Sequence, residues 1–241
     1  MTKGRPFAVF DIDGTLIRWQ LYHAIADALA HQGHIEPKSY EAMRLARLAW
    51  KKRAGGSFKD YEKQVVEIYE AVLKTLSFEQ LDEAIDLVFE EYKDQIYTYT
   101  RDLIAKLKAE NYLLFAISGS QTEIVAKVAG YYGFDDYVGT LYERKAQAFS
   151  GRATVGSFYK DRTLKRLTDK YETTYKGSIG IGDSLSDIAM LELVEQPIAF
   201  NPEKALFEHA RKRGWKVIIE RKNMVYELES QDGTYQFVET D

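Results

Sequence analysis

The 241-residue chain contains no cysteine. Disulfides, thiolate metal sites and cysteine nucleophiles are therefore excluded. It has no excess of positive charge either. Thirty-three Lys and Arg against 37 Asp and Glu give a net charge of −4 and a pI near 5.7. That balance argues against general binding of nucleic acid or anionic membrane. No stretch approaches the roughly 18 consecutive apolar residues of a membrane-spanning helix. The opening residues, MTKGRPFAVFDIDG, have no long apolar region behind their charges, so no signal peptide is expected and a cytoplasmic protein is. Internal repeats and low-complexity tracts are also missing. What remains is 45% apolar and 29% charged, enough for one large domain or one domain with an insert.

Phe7 to Phe10 is a short continuous apolar run, the signature of a strand buried on both faces. Two acids, Asp11 and Asp13, end it one residue apart, and Gly14 and Thr15 follow. From Trp19 to Gln95 the periodicity is helical. Leu21, Ile25 and Leu29 form one stripe. Phe58, Tyr61, Val65, Ile68, Val72 and Leu76 form a second; Leu81, Ile85, Val88 and Tyr92 form a third. Ser57 with Asp60, and Ser77 with Gln80, read as capping boxes, and Gly55-Gly56 breaks the helix before them.

Beyond this block, helices and apolar runs alternate. Helix-like segments start near Arg101, after Ser120, near Lys160, at Asp187 (to Val194) and near Lys204. Apolar runs lie at Tyr112–Ile117, Ser178–Gly182, Pro197–Phe200 and Lys216–Glu220, and Tyr137–Arg144 with Gln147–Thr154 reads as a hairpin. The alternation predicts an α/β fold: a doubly wound, mostly parallel, Rossmann-like sheet with an inserted all-helical domain. The expected division is a core of residues 1–17 and 97–222, a helical cap of 18–96, and a C-terminal β-hairpin of 223–241 turning at Asp232-Gly233.

Asp11 and Asp13, Ser118, Lys160, and Asp183 with Asp187 all sit just after apolar runs or at a helix start. In a doubly wound sheet such positions converge on the crevice at the carboxyl ends of the strands. Several carboxylates in one place repel, and a divalent cation removes that cost. All-oxygen ligands suit magnesium. A lysine and a hydroxyl beside them suit a phosphoryl group. Ordinary readings compete with these. DGT is a common turn string, Lys160 lies in a basic helix, and Ser184 with Asp187 is a capping box. Ser120 with Glu123 reads as a cap of the helix that follows. The four histidines share no spacing with a nucleophile.

DIDGT, AISGS, Lys160 and GDSLSD, in that order, resemble the four motifs of the haloacid dehalogenase superfamily of phosphohydrolases. The helical block resembles the cap of its phosphoserine-phosphatase-like class. The resemblance runs to about Glu220. It implies that Asp11 takes the phosphoryl group. Asp13 would protonate the leaving oxygen, activate water and lend its backbone carbonyl to Mg2+. Ser118 and Gly119 would bind phosphate. Lys160 would neutralise it and hold Asp11. Asp183 would ligate the metal together with Asp11 and Asp13, supported by Asp187. Phosphoserine phosphatases read their substrate with a cap glutamate, where this chain has Gln20, and with an arginine two turns after a cap phenylalanine. If Phe58 is that phenylalanine, Val65 takes the arginine's place. A neutral amide and a valine cannot pair the charges of phosphoserine. The expected substrate is therefore a different small phosphate monoester, with no nucleic-acid or membrane partner. Phosphoserine phosphatase, phosphotransferase or phosphomutase activity, and a phosphate-accepting signalling module, are the alternatives.

Overall fold

The computed structural model describes residues 4–52, 58–146, 148–156, 158–231 and 234–238. Strand β1 (Pro6–Phe10) runs through the middle of the sheet. Phe7, Ala8, Val9 and Phe10 are all fully buried. Because neighbouring strand residues point to opposite faces, β1 feeds two cores. Ala8 and Phe10 pack toward the inserted helices. Phe7 and Val9 pack against the helices of the other face.

Among the described residues, four helices follow β1: α1 (Leu21–His31), α2 (Pro37–Lys51), α3 (Phe58–Leu73) and α4 (Phe78–Tyr92). They fall within the stretch expected to be helical. The capping box of Ser77 and Gln80 starts α4 with both reciprocal hydrogen bonds in place. Gly55-Gly56 and Ser57 lie outside the described residues. The two connections to this helical insert run side by side. Arg18 N donates to Gln95 O at 2.8 Å, and Tyr97 N donates to Leu16 O at 3.0 Å.

The chain then alternates. Helix α5 (Thr98–Ala109) leads to β2 (Leu113–Gln121), α6 (Thr122–Tyr132), β3 (Asp136–Lys145) and β4 (Ala148–Thr154). Next come α7 (Lys160–Lys170), β5 (Thr174–Gly182), a 3-10 turn (Leu185–Asp187), α8 (Ile188–Leu191), β6 (Gln196–Phe200), α9 (Lys204–Arg213) and β7 (Lys216–Arg221). β8 (Met224–Gln231) and β9 (Thr234–Phe237) complete it. The sheet order is β4-β3-β2-β1-β5-β6-β7-β8-β9. From β3 to β7 across the sheet all pairings are parallel; β3–β4, β7–β8 and β8–β9 are antiparallel. The doubly wound reading holds. The C-terminal hairpin extends the main sheet through β7, and Asp232-Gly233 lies outside the described residues.

Two local expectations are corrected. Strand β2 continues through Ser118, Gly119 and Ser120 to Gln121, so α6 starts at Thr122 and Ser120 is not its cap. The helix expected over Asp187–Val194 shrinks to α8, behind a 3-10 turn closed by Ser184 and Asp187.

Candidate active site

Asp11 and Asp13 leave the carboxyl end of β1 and are 5% and 8% exposed. Asp11 N donates to Ile181 O of β5 at 3.0 Å, which fixes the strand end. The chain then turns tightly, with Leu16 N and Ile17 N both donating to Ile12 O at 2.9 Å. Gly14 sits in this turn at φ +83°, and a Cβ there would collide with Asp183 Oδ2. Glycine is therefore demanded twice, by conformation and by the approach of the second acid.

Lys160 is the first residue of α7 and is 2% exposed. Its Nζ donates to Asp11 Oδ1 at 2.7 Å and to Asp187 Oδ1 at 2.6 Å. Burial pulls its pKa down, and the two carboxylates more than reverse that, so the ammonium stays charged. Asp187 Oδ2 accepts from Asp183 N at 3.1 Å and from Ser184 N and Oγ, both at 2.9 Å. Asp187 thus closes its own capping box and holds Lys160 at once. It fits only because residue 182 is glycine, where a Cβ would come within 2.5 Å of Asp187 Cγ.

Asp13 takes its hydrogen bonds from a different set of partners. Its Oδ1 accepts from Leu21 N at 2.6 Å, and its Oδ2 accepts from Ser118 Oγ at 2.6 Å. Ser118 Oγ in turn accepts from Ser120 N at 2.9 Å, and Ser120 Oγ accepts from Tyr22 N at 3.1 Å. The start of α1 is therefore bound directly to the strand ends of β1 and β2. Asp11 Oδ2 is buried and has no hydrogen-bond partner among the described residues.

Asp11, Asp183 and Asp187 each present a carboxylate oxygen within 4.8 Å of the others. Burial pushes Asp11 up to about 7, with Asp187 and Asp13 adding to the rise and Lys160 opposing it. Burial first, then Asp11 and Asp187, holds Asp183 well above the usual carboxylate range. Burial also raises Asp13, and the Ser118 hydrogen bond offsets part of it. Such a cluster is stable as anions only with added positive charge.

The structure thus brings Asp11, Asp13, Ser118, Lys160, Asp183 and Asp187 to one place. Gly119 is exposed beside them, its carbonyl accepting from Thr140 Oγ1 at 2.6 Å. Gln20 stands at the N-cap of α1, half-buried, its Nε2 beside Gly14. The side chain of Phe58 lies outside what is described. Val65 is a correction: it is fully enclosed in the apolar core with Leu21, Ile25 and Tyr69. It is a packing residue, with no surface for reading a ligand. Sequence reasoning missed the backbone donor of Leu21, which no side chain advertises. It also missed Glu203, whose N–H binds Asp183 O at 2.9 Å and whose Oε1 accepts from Leu185 N at 2.7 Å.

The haloacid dehalogenase-like hydrolase family matches residues 8–192, which include every carboxylate of the cluster. The chain belongs to that family. Over 228 residues it is 26% identical to a histidinol-phosphatase of Neisseria meningitidis serogroup C (strain 8013), covering 89% of this chain and 98% of that protein. It is 29% identical to phosphoserine phosphatase SerB1 of Mycobacterium tuberculosis over 128 residues, which are 52% of this chain and only 41% of that one. Among solved structures, a protein of unknown function from Bordetella pertussis Tohama I superposes with a TM-score of 0.71 at 22% identity, over 90% of this chain and 99% of the other. A phospho-aspartyl intermediate analogue of phosphoserine phosphatase superposes with a TM-score of 0.62 at 19% identity, over 91% and 95%. These last two likenesses concern the fold. The chain is a haloacid dehalogenase-like hydrolase with phosphatases among its relatives. Among the described residues, no helix is long and apolar enough to cross a membrane.

Proposed function

We propose that this phosphatase hydrolyses a small phosphate monoester through a phosphoryl group carried on Asp11. The observation that carries the reading is the state of that carboxylate. Lys160 holds Oδ1 at 2.7 Å, while Oδ2 is buried and free of any donor among the described residues. A buried acceptor left unpaired is costly, and one held in a fixed orientation is what a nucleophile needs.

In the first half-reaction Asp11 Oδ2 attacks phosphorus in line and the P–O bond to the leaving group breaks. Asp13, whose pKa is raised by burial, gives its proton to the departing oxygen. Ser118 supports this because its hydroxyl rotates, donating to Asp13 when ionised and accepting when protonated. In the second half, water attacks the phosphorus, Asp13 takes its proton, and Asp11 is released with inorganic phosphate. Lys160 neutralises negative charge beside the phosphoryl group throughout. A hydrogen bond from Gly119 would orient it, joined by the Ser118 hydroxyl while Asp13 is protonated and leaves that proton free.

Magnesium fits the residues present. The donors are all oxygen, and Asp11, Asp183 and Asp187 present carboxylate oxygens within 4.8 Å of one another. Asp183, raised first by burial and then by Asp11 and Asp187, would be relieved by a cation. Asp11, Asp183 and the Asp13 carbonyl would hold it, with Asp187 in support. When bound it would supply charge neutralisation at the phosphoryl oxygens.

The four inserted helices would serve as a lid, excluding bulk water during transfer and favouring small substrates. A relative named histidinol-phosphatase that aligns over nearly all of its length supports a small ester as well. Free phosphoserine is disfavoured by the neutral Gln20 at the crevice. The test is phosphate release over a panel of small monoesters, including histidinol phosphate and phosphoserine. It is run with magnesium, with chelator, and with Asp11→Asn as control. Turnover that survives Asp11→Asn would refute the reading.

A further inference from the structure

Glu220, near the end of β7, is a carboxylate with no part in the chemistry above. Its side chain is fully buried. Oε1 accepts from Arg18 Nη2 at 2.6 Å and from Thr98 N at 3.0 Å, and Oε2 accepts from Tyr99 N at 2.9 Å. Its own N–H donates to Asn201 Oδ1 at 2.8 Å, so β7 and the end of β6 fix its backbone. The Arg18 guanidinium also lies 5.0 Å from the centre of the Tyr97 ring.

These partners belong to the two crossings of the helical insert. Arg18 is on the outgoing crossing. Thr98 and Tyr99 open α5, where the returning crossing ends. One buried carboxylate of the core therefore grips both. An anion at a helix N-terminus accounts for the contacts to Thr98 and Tyr99. It does not account for Arg18, whose side chain is 40% exposed and had water as an alternative. Arg18 precedes Leu21 by three residues, and it is Leu21 N that binds Asp13 Oδ1 at 2.6 Å. Gln20 lies between them. Where Arg18 is anchored sets where Gln20 and the Leu21 N–H arrive.

We propose that Glu220 and Arg18 form a positioning clamp, which seats the helical insert over the crevice and holds the start of α1 against Asp13. The proposal rests on the phosphatase reading and on the insert acting as its lid. Glu220 acts through Arg18 and touches no reacting atom. Hinge contacts of this type change kcat and KM together, by factors of about two to thirty.

The test uses Arg18→Ala, which leaves the α5 contacts intact, Arg18→Lys, which keeps the charge, and Glu220→Gln, which disturbs both crossings. The probe substrate is p-nitrophenyl phosphate with magnesium. Because the chain has no cysteine, Leu45→Cys on α2 and Lys212→Cys on α9, both exposed, give a clean spin-label pair between insert and core. The expected results for Arg18→Ala are a broadened insert–core distance distribution, a fall in kcat of about fivefold or more, and a raised KM. Arg18→Lys should recover part of each, which a purely structural loss would not show. Glu220→Gln should exceed Arg18→Ala in both readouts. An unchanged distance distribution in Arg18→Ala overturns the clamp whatever the rates do. A broadened distribution with kcat and KM within twofold of wild type overturns the positioning role. Absence of hydrolysis in the wild-type protein would instead count against the phosphatase reading, leaving the distance measurement to judge the clamp alone.

Discussion

Replacing Lys160 with methionine keeps the length of the side chain and deletes its charge. Nζ stands 2.7 Å from Asp11 Oδ1 and 2.6 Å from Asp187 Oδ1, and the three side chains are 1%, 7% and 0% exposed. With an effective dielectric near 20, each contact is worth about 6 kcal/mol of Coulomb attraction. Most of that offsets the cost of removing three charges from water. Deleting one partner of a buried pair leaves the rest uncompensated and costs about 3–5 kcal/mol. Here Asp183 presents a third carboxylate within 4.8 Å of the other two, which places the expected loss toward the upper end. For a chain of this length a loss of about 4–5 kcal/mol corresponds to a fall in Tm of about 8–20 °C, at 2–4 °C per kcal/mol.

The measurement is urea unfolding in the presence of EDTA at pH 8, above the value of about 7 to which burial lifts Asp11. Wild type, Lys160→Met, Asp11→Asn and the double variant form a cycle. Deleting the Asp11 charge should return about 1–3 kcal/mol of what Lys160→Met loses. The m-value should stay constant across the cycle, so that midpoints compare stabilities. A Lys160→Met protein within about 1 kcal/mol of wild type would show that the ammonium is not balancing these carboxylates. A double variant no more stable than Lys160→Met would refute the specific pairing with Asp11.

Three further outcomes are expected. Ser118→Ala removes the donor 2.6 Å from Asp13 Oδ2; kcat should fall about tenfold or more with a smaller change in KM, because a hydrogen bond to a charged group is worth about 1.5–3 kcal/mol, and a steady-state assay decides. Gly14→Ala must hold φ near +83°, at about 1–2 kcal/mol, and pushes against Asp183; a magnesium titration of turnover should show weakened apparent affinity, and an unchanged curve would count against Asp183 as a ligand. Burial, with the charge of Arg47 adding to it, pulls the buried His23 down to about 3, so the folded protein refuses a proton that the unfolded chain accepts near pH 6.5. Stability from this source is complete above about pH 6.5 and is lost as pH falls toward 3, by about 1.4 kcal/mol per unit. His23→Leu should therefore lose less stability than wild type between pH 6.5 and 4.5 in urea titrations, and parallel slopes would refute the assignment.

Much of this was legible where burial follows from local pattern. Phe7 to Phe10 reads as a strand covered on both faces because no polar residue interrupts it, and β1 does divide its residues between two cores. Asp187 illustrates a local motif that hides a distant one. Its capping box with Ser184 is real and uses only Oδ2, which leaves Oδ1 for Lys160. A residue whose local partners satisfy one oxygen is not thereby explained. Ser120 shows the reverse. A plausible cap with Glu123 gave way because β2 runs four residues further than its apolar stretch, and the hydroxyl went to Tyr22 N.

Val65 and Glu220 separate what a sequence can and cannot say. Val65 lies on the stripe of Tyr61, Ile68, Val72 and Leu76, and that periodicity already placed it in a helix–helix core. Assigning it to the substrate relied on counting from Phe58, and counting carries no information about which way a helix faces. The stripe was the stronger physical signal, because it states which face loses water. Glu220 has no such signal. It ends an apolar strand as an ordinary acid would, and its ion-pair partner is 202 positions away. Only the return of the chain after four inserted helices brings Arg18, Thr98 and Tyr99 to it. Residues that join the two ends of an insertion are set by topology rather than by neighbours, so they escape motif reading even when the catalytic motifs on either side are plain.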